Sequence, residues 1–379
     1  MLNKKKILIY GDSPLDGYPS YADTINEICK LLKDTYEIYI IAYSGAGFYK
    51  NEIYTVLPNI RLFTGSKNAL SIPENIEYYS NIIHPDVILV HTDTNLFVAN
   101  LDDRKYIKEF IEKSKIPFFL YAVIDGIPIP PKDRNFFNIV NKYGRVITFS
   151  RFAHEAYENS EYIPHGVDLD YFKPLLNREE LRTKCSIRKD DIVIGFVGSC
   201  TTRKQPFRFL NLIKRLQNEY GDKIKCIFNI NDIPVIKEYI YDNNIKIVDF
   251  RDKTSHMVEC YALMDIFVLP TSGEGFCKPF VECAACGVPI VTTDCCTGPQ
   301  LVTGHGELVK VAGVDYCFCC GTSRYLCDEE DLYLKTKKLI DNSKLREEYS
   351  KKGIELVKPY EWKLWKNKWL EVLNGINSA

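Results

Sequence analysis

The chain has 379 residues, 46% of them hydrophobic, and its formal net charge at pH 7 is −1. This length and composition predict two domains that each bury a core, and the near-zero charge argues against nucleic acid or an acidic membrane as a general partner. No apolar run reaches transmembrane length, and the start, MLNKKKILIYGD, passes from lysines directly into a predicted strand. We therefore expect a soluble cytoplasmic protein.

Fourteen cysteines raise the question of disulfides or a metal site. Disulfide scaffolds are short secreted chains, so free thiols are the better expectation. Zinc is a second interpretation for the cysteines of the last third, but Cys283 and Cys286 lie in a predicted short helix, which favours packing. The cysteines in question are Cys283, Cys286, Cys295, Cys296, Cys317, Cys319 and Cys320.

The first half of the chain alternates apolar strands with helices, which is typical of a doubly wound domain with a parallel sheet. A helix is predicted over 21–33, and the loop before it contains Gly17 but no GxGxxG fingerprint. Asp125 lies in a later loop, 124–131, that is rich in Pro and Gly. The strands are predicted at 6–10, 37–42, 87–91, 117–123 and 145–149.

The second half opens with an apolar strand, 191–198, that ends at Gly198 and leads to a helix over 206–219. Arg203 and Lys204 come just before this helix, and we expect them at an exposed helix start. Two cations are unfavourable beside the positive end of a helix dipole unless an anion is present. The pair therefore predicts a phosphate site. Further strands are predicted at 225–230, 245–248, 265–270 and 288–293.

The stretch TSGEGFCKPFVECAACG, residues 271–287, combines a loop with a helix start. Pro279 suits the first turn of a helix and Gly287 supplies a left-handed stop, so a short helix is predicted over Pro279–Cys286. The loop follows a buried strand, and open α/β sheets bind ligands at the carboxyl ends of their strands. This stretch is therefore the predicted centre of a binding site.

Two carboxylates and a run of backbone N–H groups come together here. Glu274 lies in the loop and Glu282 follows eight residues later, so both can face one crevice. The N–H groups of Gly275, Phe276 and Cys277 attract anions. A carboxylate that accepts two hydrogen bonds from a vicinal diol, such as a ribose, makes a strong contact. The pattern is typical of a ligand with both phosphate and hydroxyl groups.

The sequence EGFCKPFVECAACGVPIVTTD resembles the segment EGFG-Leu-Pro…Glu-Ala…Ala-Cys-Gly-Val-Pro-Val-Val of the family 4 retaining glycosyltransferases, which have the GT-B fold. The two glutamates, their spacing, the Pro, the Cys-Gly stop and the following strand all agree. Residues 162–168 resemble the family's Ile-Pro-Asn-Gly-Val-Asp, with His165 in place of Asn. The resemblance covers most of the chain, and it is strongest over residues 191–302.

This resemblance implies two Rossmann-like, doubly wound α/β domains that face each other across a cleft. Residues 1–170 would form the acceptor-side domain and 171–357 the nucleotide-sugar-binding domain. Residues 358–379 would pack back on the first domain. Trp362, Trp365 and Trp369 form the stripe of that closing helix; a Trp/Lys helix can also lie on a membrane as a peripheral contact, but the resemblance favours packing.

The resemblance also implies roles for the candidate residues. Glu274, Lys204 and Arg203 would be catalytic, the carboxylate facing the sugar and the two cations stabilising the departing diphosphate. Glu282 would hold the ribose. On the donor side the candidates also include Gly198, Lys204, Gly275, Phe276 and Cys277. On the acceptor or sugar side they are Gly17 and Asp125.

The implied activity is retaining transfer of a sugar, a hexose in our interpretation, from a UDP- or GDP-linked donor to a glycan, lipid, protein or small-molecule acceptor. No cofactor and no metal are expected, because protein cations take the metal's role. Two alternatives stay open: a GT-B nucleotide-sugar epimerase or hydrolase, and a non-catalytic nucleotide-sugar-binding protein. The second is suggested by Cys277 and Lys278 in place of Gly and Leu, and by a missing His near Asp125.

Overall fold

The structure is a computed structural model that describes residues 4–15, 19–42, 47–59, 72–93, 101–199, 201–229 and 233–375. The chain divides into two compact units. The first consists of Met1–His165, Cys319–Thr322 and Trp362–Ala379, and the second of Gly166–Phe318 and Ser323–Glu361.

A single mostly parallel sheet organises the first unit. Its strands are β1 (Lys5–Gly11), β2 (Tyr36–Ala42), β3 (Tyr49–Lys50), β4 (Tyr54–Leu57), β5 (Val87–Val90), β6 (Phe118–Ala122), β7 (Gly144–Thr148) and β8 (Glu161–Tyr162). Within the described residues the order is β3-β4-β2-β1-β5-β6-β7-β8, and the pairs are parallel except β3 with β4. The helices of this part are α1 (Pro19–Leu32), α2 (Ile72–Ile83), α3 (Leu101–Ser114), α4 (Pro131–Tyr143) and α5 (Arg151–Ala156).

The second unit repeats this architecture with a smaller sheet. Its strands are β9 (Ile192–Val197), β10 (Ile224–Asn229), β11 (Ile266–Leu269), β12 (Ile290–Thr293) and β13 (Gly306–Val309), followed by the two-stranded sheet β14 (Val311–Cys317) and β15 (Thr322–Cys327). The helices are α6 (Arg178–Lys184), α7 (Pro206–Tyr220), α8 (Pro234–Asp242), α9 (Met257–Leu263), α10 (Lys278–Ala285), α11 (Gly298–Val302), α12 (Glu329–Asp341) and α13 (Ser343–Leu356).

The strand order of the second unit determines where a ligand can bind. The order is β10-β9-β11-β12-β13, and all four neighbouring pairs are parallel in the part of the unit that the structure describes. After β9 the chain therefore adds β10 on one side of this strand, and it later adds β11 on the other side. A crevice opens at such a switch point, outside the carboxyl ends of the two strands. The loops after β9 and β11 lie there.

The cores explain why the apolar runs form strands. Ile7, Leu8, Ile9 and Tyr10 of β1 are fully buried, as expected for a parallel strand covered by helices on both faces. In the second unit, Phe267 of β11 is likewise fully buried. Continuous hydrophobic runs therefore mark the central strands of both sheets.

The C-terminal segment belongs to the first unit. Helix α14 (Lys366–Asn374) buries Trp369 completely, and the Trp369 ring lies 5.1 Å from that of Tyr121. Lys366 forms an ion pair of 2.8 Å with Asp34. The predicted single Trp stripe is wrong in one respect, because Trp362 and Trp365 lie in a 3-10 turn before this helix. Trp362 is buried like Trp369, whereas Trp365 is half-buried.

Most predicted strands are observed within one or two residues, with two kinds of exception. The predicted strand at 245–248 is wrong: it makes only an isolated bridge, between Ile247 and Cys226 of β10, at the edge of the sheet. Conversely, the strands β3, β4, β8, β13, β14 and β15 had no prediction. None of the helices in the described ranges is both long and apolar enough to cross a bilayer.

Candidate active site

The loop after β11 leads into α10, and its backbone geometry follows from the sequence. Helix α10 covers Lys278–Ala285, one residue earlier than predicted, with Pro279 in its first turn. Gly287 has the left-handed φ of +76° that was predicted for the stop. Cys277 caps the helix start with φ 70° and ψ 74°, a conformation that is costly for a side chain with a Cβ. Glu274 to Cys277 are all buried.

Glu274 forms two ion pairs with the loop after β9. Its Oε1 lies 2.7 Å from Nζ of Lys204 and its Oε2 lies 2.9 Å from Nη1 of Arg203. The Thr271 hydroxyl also donates to Oε1, at 2.8 Å. We call Glu274, Lys204 and Arg203 the ion triad. The structure thus brings together the three residues that the sequence predicted as catalytic.

Lys204 is buried, so the prediction of an exposed helix start is wrong. It ends a 3-10 turn, Thr202–Lys204, and the left-handed Gln205 separates that turn from α7. The two loops are also joined through the backbone, because the Ser272 amide donates to the Arg203 carbonyl at 2.7 Å. These bonds direct the lysine into the crevice instead of toward solvent.

Gly198, at the end of β9, lies beside the lysine stem. A Cβ placed on it would lie 3.4 Å from Cε of Lys204, and its φ of +158° is one that other residues rarely adopt. The contact itself would be an ordinary van der Waals one, so the backbone conformation is what favours glycine at this position.

The electrostatics of the ion triad favour an ionised carboxylate. Burial alone would raise the pKa of Glu274, but the positive charges of Arg203 and Lys204 outweigh burial and lower it to about 2. Two cations and one anion leave the triad with one net positive charge. Glu274 and Lys204 are buried, whereas the Arg203 side chain is 26% exposed. Two cations held together beside the ends of β9 and β11 are suited to bind an anionic ligand.

Glu282 lies on α10 and accepts a hydrogen bond from the hydroxyl of Tyr261, at 2.8 Å from Oε2. Both residues are buried. The sequence analysis missed Tyr261, because an aromatic residue in an apolar helical run gives no sign that its hydroxyl reaches a carboxylate. The pair shows that Glu282 faces the interior side of its helix instead of solvent.

A cavity of about 300 Å³ is lined by the edge strand β10, helix α8 and residues 247–251. Helix α9 begins shortly after its lining ends and carries Tyr261. Its walls are mainly apolar and include two cations, Lys237 and Arg251, and the carboxylate Asp249. The lining includes Phe228, Ile236, Ile240, Val248, Phe250 and Arg251. This size and lining match those of small-molecule sites.

The remaining candidates lie elsewhere. Phe276 is packed against Tyr360, with ring centroids 5.7 Å apart, and its carbonyl accepts from Thr297 at 3.1 Å. Asp125 is half-buried in the first unit, in the loop after β6. Gly17 lies outside the described residues.

The cysteines are mostly packed. Burial raises the thiol pKa of Cys283 and Cys286, which agrees with the packing interpretation. Across the described ranges, the only group of His, Cys, Asp and Glu side chains with metal-ligand spacing is Cys317, Cys319 and Cys320, around the turn between β14 and β15.

Parts of the chain are similar to known proteins. Residues 177–356 match the sequence model of the family described as Glycosyl transferases group 1. The chain is 26% identical over 157 residues to UDP-Gal:alpha-D-GlcNAc-diphosphoundecaprenol alpha-1,3-galactosyltransferase of Escherichia coli, which covers 39% of this chain and 38% of that enzyme. It is 25% identical over 257 residues to alpha-galactosylglucosyldiacylglycerol synthase of Streptococcus pneumoniae, which covers 62% of this chain and 65% of that enzyme. Both alignments span less than two thirds of the relative's length.

The complete chain is similar to a solved structure, Anabaena HepE in complex with UDP and glucose. The TM-score is 0.72 at 14% identity, and the superposition covers 98% of this chain and 100% of HepE. The predicted fold is confirmed: it is GT-B, with two Rossmann-like units. The predicted similarity to glycosyltransferases is confirmed as well, whereas membership of family 4 and retention stay predictions.

Proposed function

We propose that the protein is a family 4 glycosyltransferase that transfers a hexose from a nucleotide sugar to an acceptor with retention of configuration. The observation that carries the proposal is the ion triad at the switch point of the second sheet, with Glu282 on the adjoining helix. The two cations of the ion triad would bind the diphosphate of a nucleoside diphosphate, and the Glu282 carboxylate would bind its ribose diol. The family match over residues 177–356 supports the same conclusion.

The diphosphate would lie against Lys204 and Arg203. During transfer the bond between the anomeric carbon and a phosphate oxygen breaks, and negative charge collects on that oxygen. Two cations that are already in place stabilise this charge without reorganisation, which is usually the largest contribution that such a site makes. The side chain of Lys204 is 7% exposed, so water screens its charge little.

The sugar would lie beside Glu274. With a pKa of about 2 this carboxylate stays ionised at neutral pH, so it can accept hydrogen bonds from sugar hydroxyls and stabilise an oxocarbenium-like centre. The acceptor oxygen forms the new bond to the anomeric carbon, and its proton passes to the departing phosphate oxygen, which has taken the electron pair of the broken bond. Asp125 and Gly17 of the first unit are the proposed contacts on the acceptor or sugar side.

The nucleoside would occupy the space between Glu282 and the apolar cavity. The carboxylate would accept from the ribose hydroxyls, and the base would fit between side chains such as Phe228 and Phe250. The HepE complex with UDP and the UDP-Gal in the name of the E. coli relative support a UDP-linked donor. A GDP-linked donor is the other candidate.

The proposal includes a reaction without a metal or another cofactor, since Lys204 and Arg203 supply the positive charge. It places the protein in the cytoplasm, where nucleotide sugars are available. The acceptor is a glycan, lipid, protein or small molecule. A lipid acceptor would require peripheral contact with a membrane. The name of one relative contains a diphosphoundecaprenol-linked sugar, and another relative is named as a galactosylglucosyldiacylglycerol synthase.

A thermal-shift screen of UDP- and GDP-linked hexoses tests donor binding, because a bound ligand stabilises the folded protein by mass action. Product analysis with and without added acceptors then tests the reaction, in the presence of EDTA. We expect transfer to an acceptor that survives the chelator. Release of free sugar alone would identify a hydrolase, and an epimerised nucleotide sugar an epimerase. Binding without turnover would favour the non-catalytic alternative, for which the strained Cys277 in the family's Gly position is the specific observation.

A further inference from the structure

We propose that Tyr261 is a positioning residue: it holds the Glu282 carboxylate in the orientation that recognises a ribose diol, and it thereby sets selectivity for ribonucleotides over deoxyribonucleotides. The inference rests on the proposed function, because it requires a nucleotide at Glu282.

The contact between the two residues is strong and enclosed. The Tyr261 hydroxyl donates to Oε2 of Glu282 at 2.8 Å, and the tyrosine is fully buried while the glutamate is 9% exposed. Burial raises the pKa of Tyr261 well above its ordinary value, so the hydroxyl keeps its proton at any pH relevant to function. A hydrogen bond to an ionised acceptor is about twice as strong as one between neutral groups.

The hydroxyl is itself held by rigid surroundings. The Tyr261 ring packs edge-on against Phe267 of β11, with centroids 6.3 Å apart, and against Phe172, at 6.1 Å. Helix α9, which carries the tyrosine, starts with a capping box between His256 and Glu259. A side chain that is fixed by packing on a strand and a capped helix can orient a functional group accurately.

The need for orientation comes from the glutamate. The terminal torsion of a Glu side chain is broad and roughly two-fold, so an unsupported carboxylate samples many directions. A vicinal diol is recognised well only when both carboxylate oxygens take the correct positions at once. Fixing Oε2 also fixes the plane of the carboxylate and the direction of Oε1. Tyr261 would therefore act on the ligand only through Glu282.

The test compares two nucleotides on four proteins by calorimetry: UDP and 2′-deoxy-UDP, or GDP and 2′-deoxy-GDP if the first pair does not bind. The proteins are wild type, Tyr261→Phe, Glu282→Gln and the double variant. We expect wild type to prefer the ribonucleotide by about tenfold or more, the effect of losing one charge-assisted hydrogen bond. Tyr261→Phe should lower this preference several-fold, and it should change the preference no further in the Glu282→Gln background.

The matched control is Tyr349→Phe, because Tyr349 also donates to a glutamate of this unit, Glu307, at 2.9 Å. This variant should keep the wild-type preference. If Tyr261→Phe weakens both nucleotides equally, or if it still changes the preference without Glu282, the positioning role is overturned while the proposed function stands. If folded wild-type protein binds neither UDP nor GDP, the proposed function fails and the inference fails with it.

Discussion

The carboxyl edges of the two sheets are built from different chemistry, although both belong to doubly wound parallel sheets. In the second unit this edge holds the buried ion triad, with one net positive charge. In the first unit the corresponding edge is filled with rings: His165 stacks on Phe149 at 4.1 Å, and Tyr121 packs between His165 and Trp369 at 5.0 and 5.1 Å. The same topology therefore carries charge in one unit and aromatic packing in the other.

Tyr121 and His165 of the aromatic edge satisfy their polar atoms within the unit, whereas the buried Nε1 of Trp369 has no hydrogen-bond partner among the described residues. The Tyr121 hydroxyl donates to the carbonyl of Ile163 at 3.0 Å and lies 3.0 Å from Nδ1 of His165. The ion triad instead holds two cations beside one carboxylate at the carboxyl ends of β9 and β11. We infer that the first edge contributes mainly to stability and the second mainly to binding and reaction. Four predictions test this division.

The largest expected effect is on turnover, from removing the charge of Lys204. Because this side chain is buried, Lys204→Met is a better variant than alanine: it keeps the apolar stem and avoids a cavity. The loss of one preorganised donor should lower kcat by about 10²–10³. The donor KM should change less, since the charge matters more in the transition state than in the ground state.

Lys204→Arg should recover only part of this loss, because a planar guanidinium does not replace a point charge at the same reach. The exposed Lys214→Ala, on α7, is the control and should leave kcat unchanged. Steady-state kinetics on variants with native circular dichroism decides the matter. A near-normal kcat for folded Lys204→Met would remove this lysine from the mechanism.

The second effect is on stability, from Glu274→Gln. The substitution keeps the shape of the side chain but leaves Lys204 and Arg203 without their anion. Breaking a buried ion pair in this way should lower the free energy of unfolding by about 3 kcal/mol. Added pyrophosphate or UDP should restore much of it, because its phosphates would replace the carboxylate as counter-ion. The thermal shift that these ligands cause should therefore be larger in the variant than in wild type.

If the ligands shift Glu274→Gln no more than wild type, the ion triad is not the anion site. Gln217→Glu would not serve as a control, because it adds a charge. The matched control is Glu307→Gln, because Glu307 lies in the same unit but binds Lys338 and Tyr349. It should be destabilised without any gain in ligand response.

The third effect is the pH dependence of stability that arises from His305, a residue near α10. His305 is buried, and its ring lies against Gly353 of α13 and near Ala284 of α10. Burial lowers the pKa of His305 from 6.5 to about 4. The unfolded chain therefore binds a proton between these pH values that the folded chain does not. The contribution of the neutral, buried His305 to stability is complete above about pH 6.5 and is lost as the pH falls to about 4.

Between pH 7 and pH 5 this linkage should lower the free energy of unfolding by about 2 kcal/mol. His305→Leu, similar in size and uncharged, should remove that part of the pH dependence in urea titrations. His154→Leu, in the first unit, should leave the slope between these pH values as it is in wild type. An unchanged slope in His305→Leu would show that other groups cause the acid sensitivity.

The comparison also shows what the sequence could predict. The strands around the switch point and α10 follow from local signals: apolar runs, Pro279 at the helix start and Gly287 at its end. The burial of Lys204 could not be predicted, because it depends on the left-handed Gln205 and on bonds between two loops about seventy residues apart in sequence.

Long-range partners are missing from the sequence-based interpretation for the same reason. Nothing near Tyr261 indicates that its hydroxyl meets Glu282, and the cavity beside β10 depends on side chains from several elements. The aromatic edge was missed as well. His165 was noted only as a replacement for Asn, since its stacking on Phe149 requires the ends of β7 and β8 to be adjacent.

The smallest effect distinguishes the two edges most directly, through Tyr121→Phe. The variant keeps the ring between His165 and Trp369 but removes the hydroxyl, so the Ile163 carbonyl loses its donor. Losing this hydrogen bond and the contact with Nδ1 of His165 should cost about 1–2 kcal/mol of unfolding free energy in urea titrations. Donor affinity, measured by calorimetry with UDP, should not change, because no charge is altered. Tyr157→Phe, whose hydroxyl donates to Asn138 at 2.9 Å, is the control for a buried tyrosine of the same unit. A loss of UDP affinity in folded Tyr121→Phe, without a similar loss in the control, would mean that the aromatic edge takes part in donor binding and that the division between the two edges is wrong.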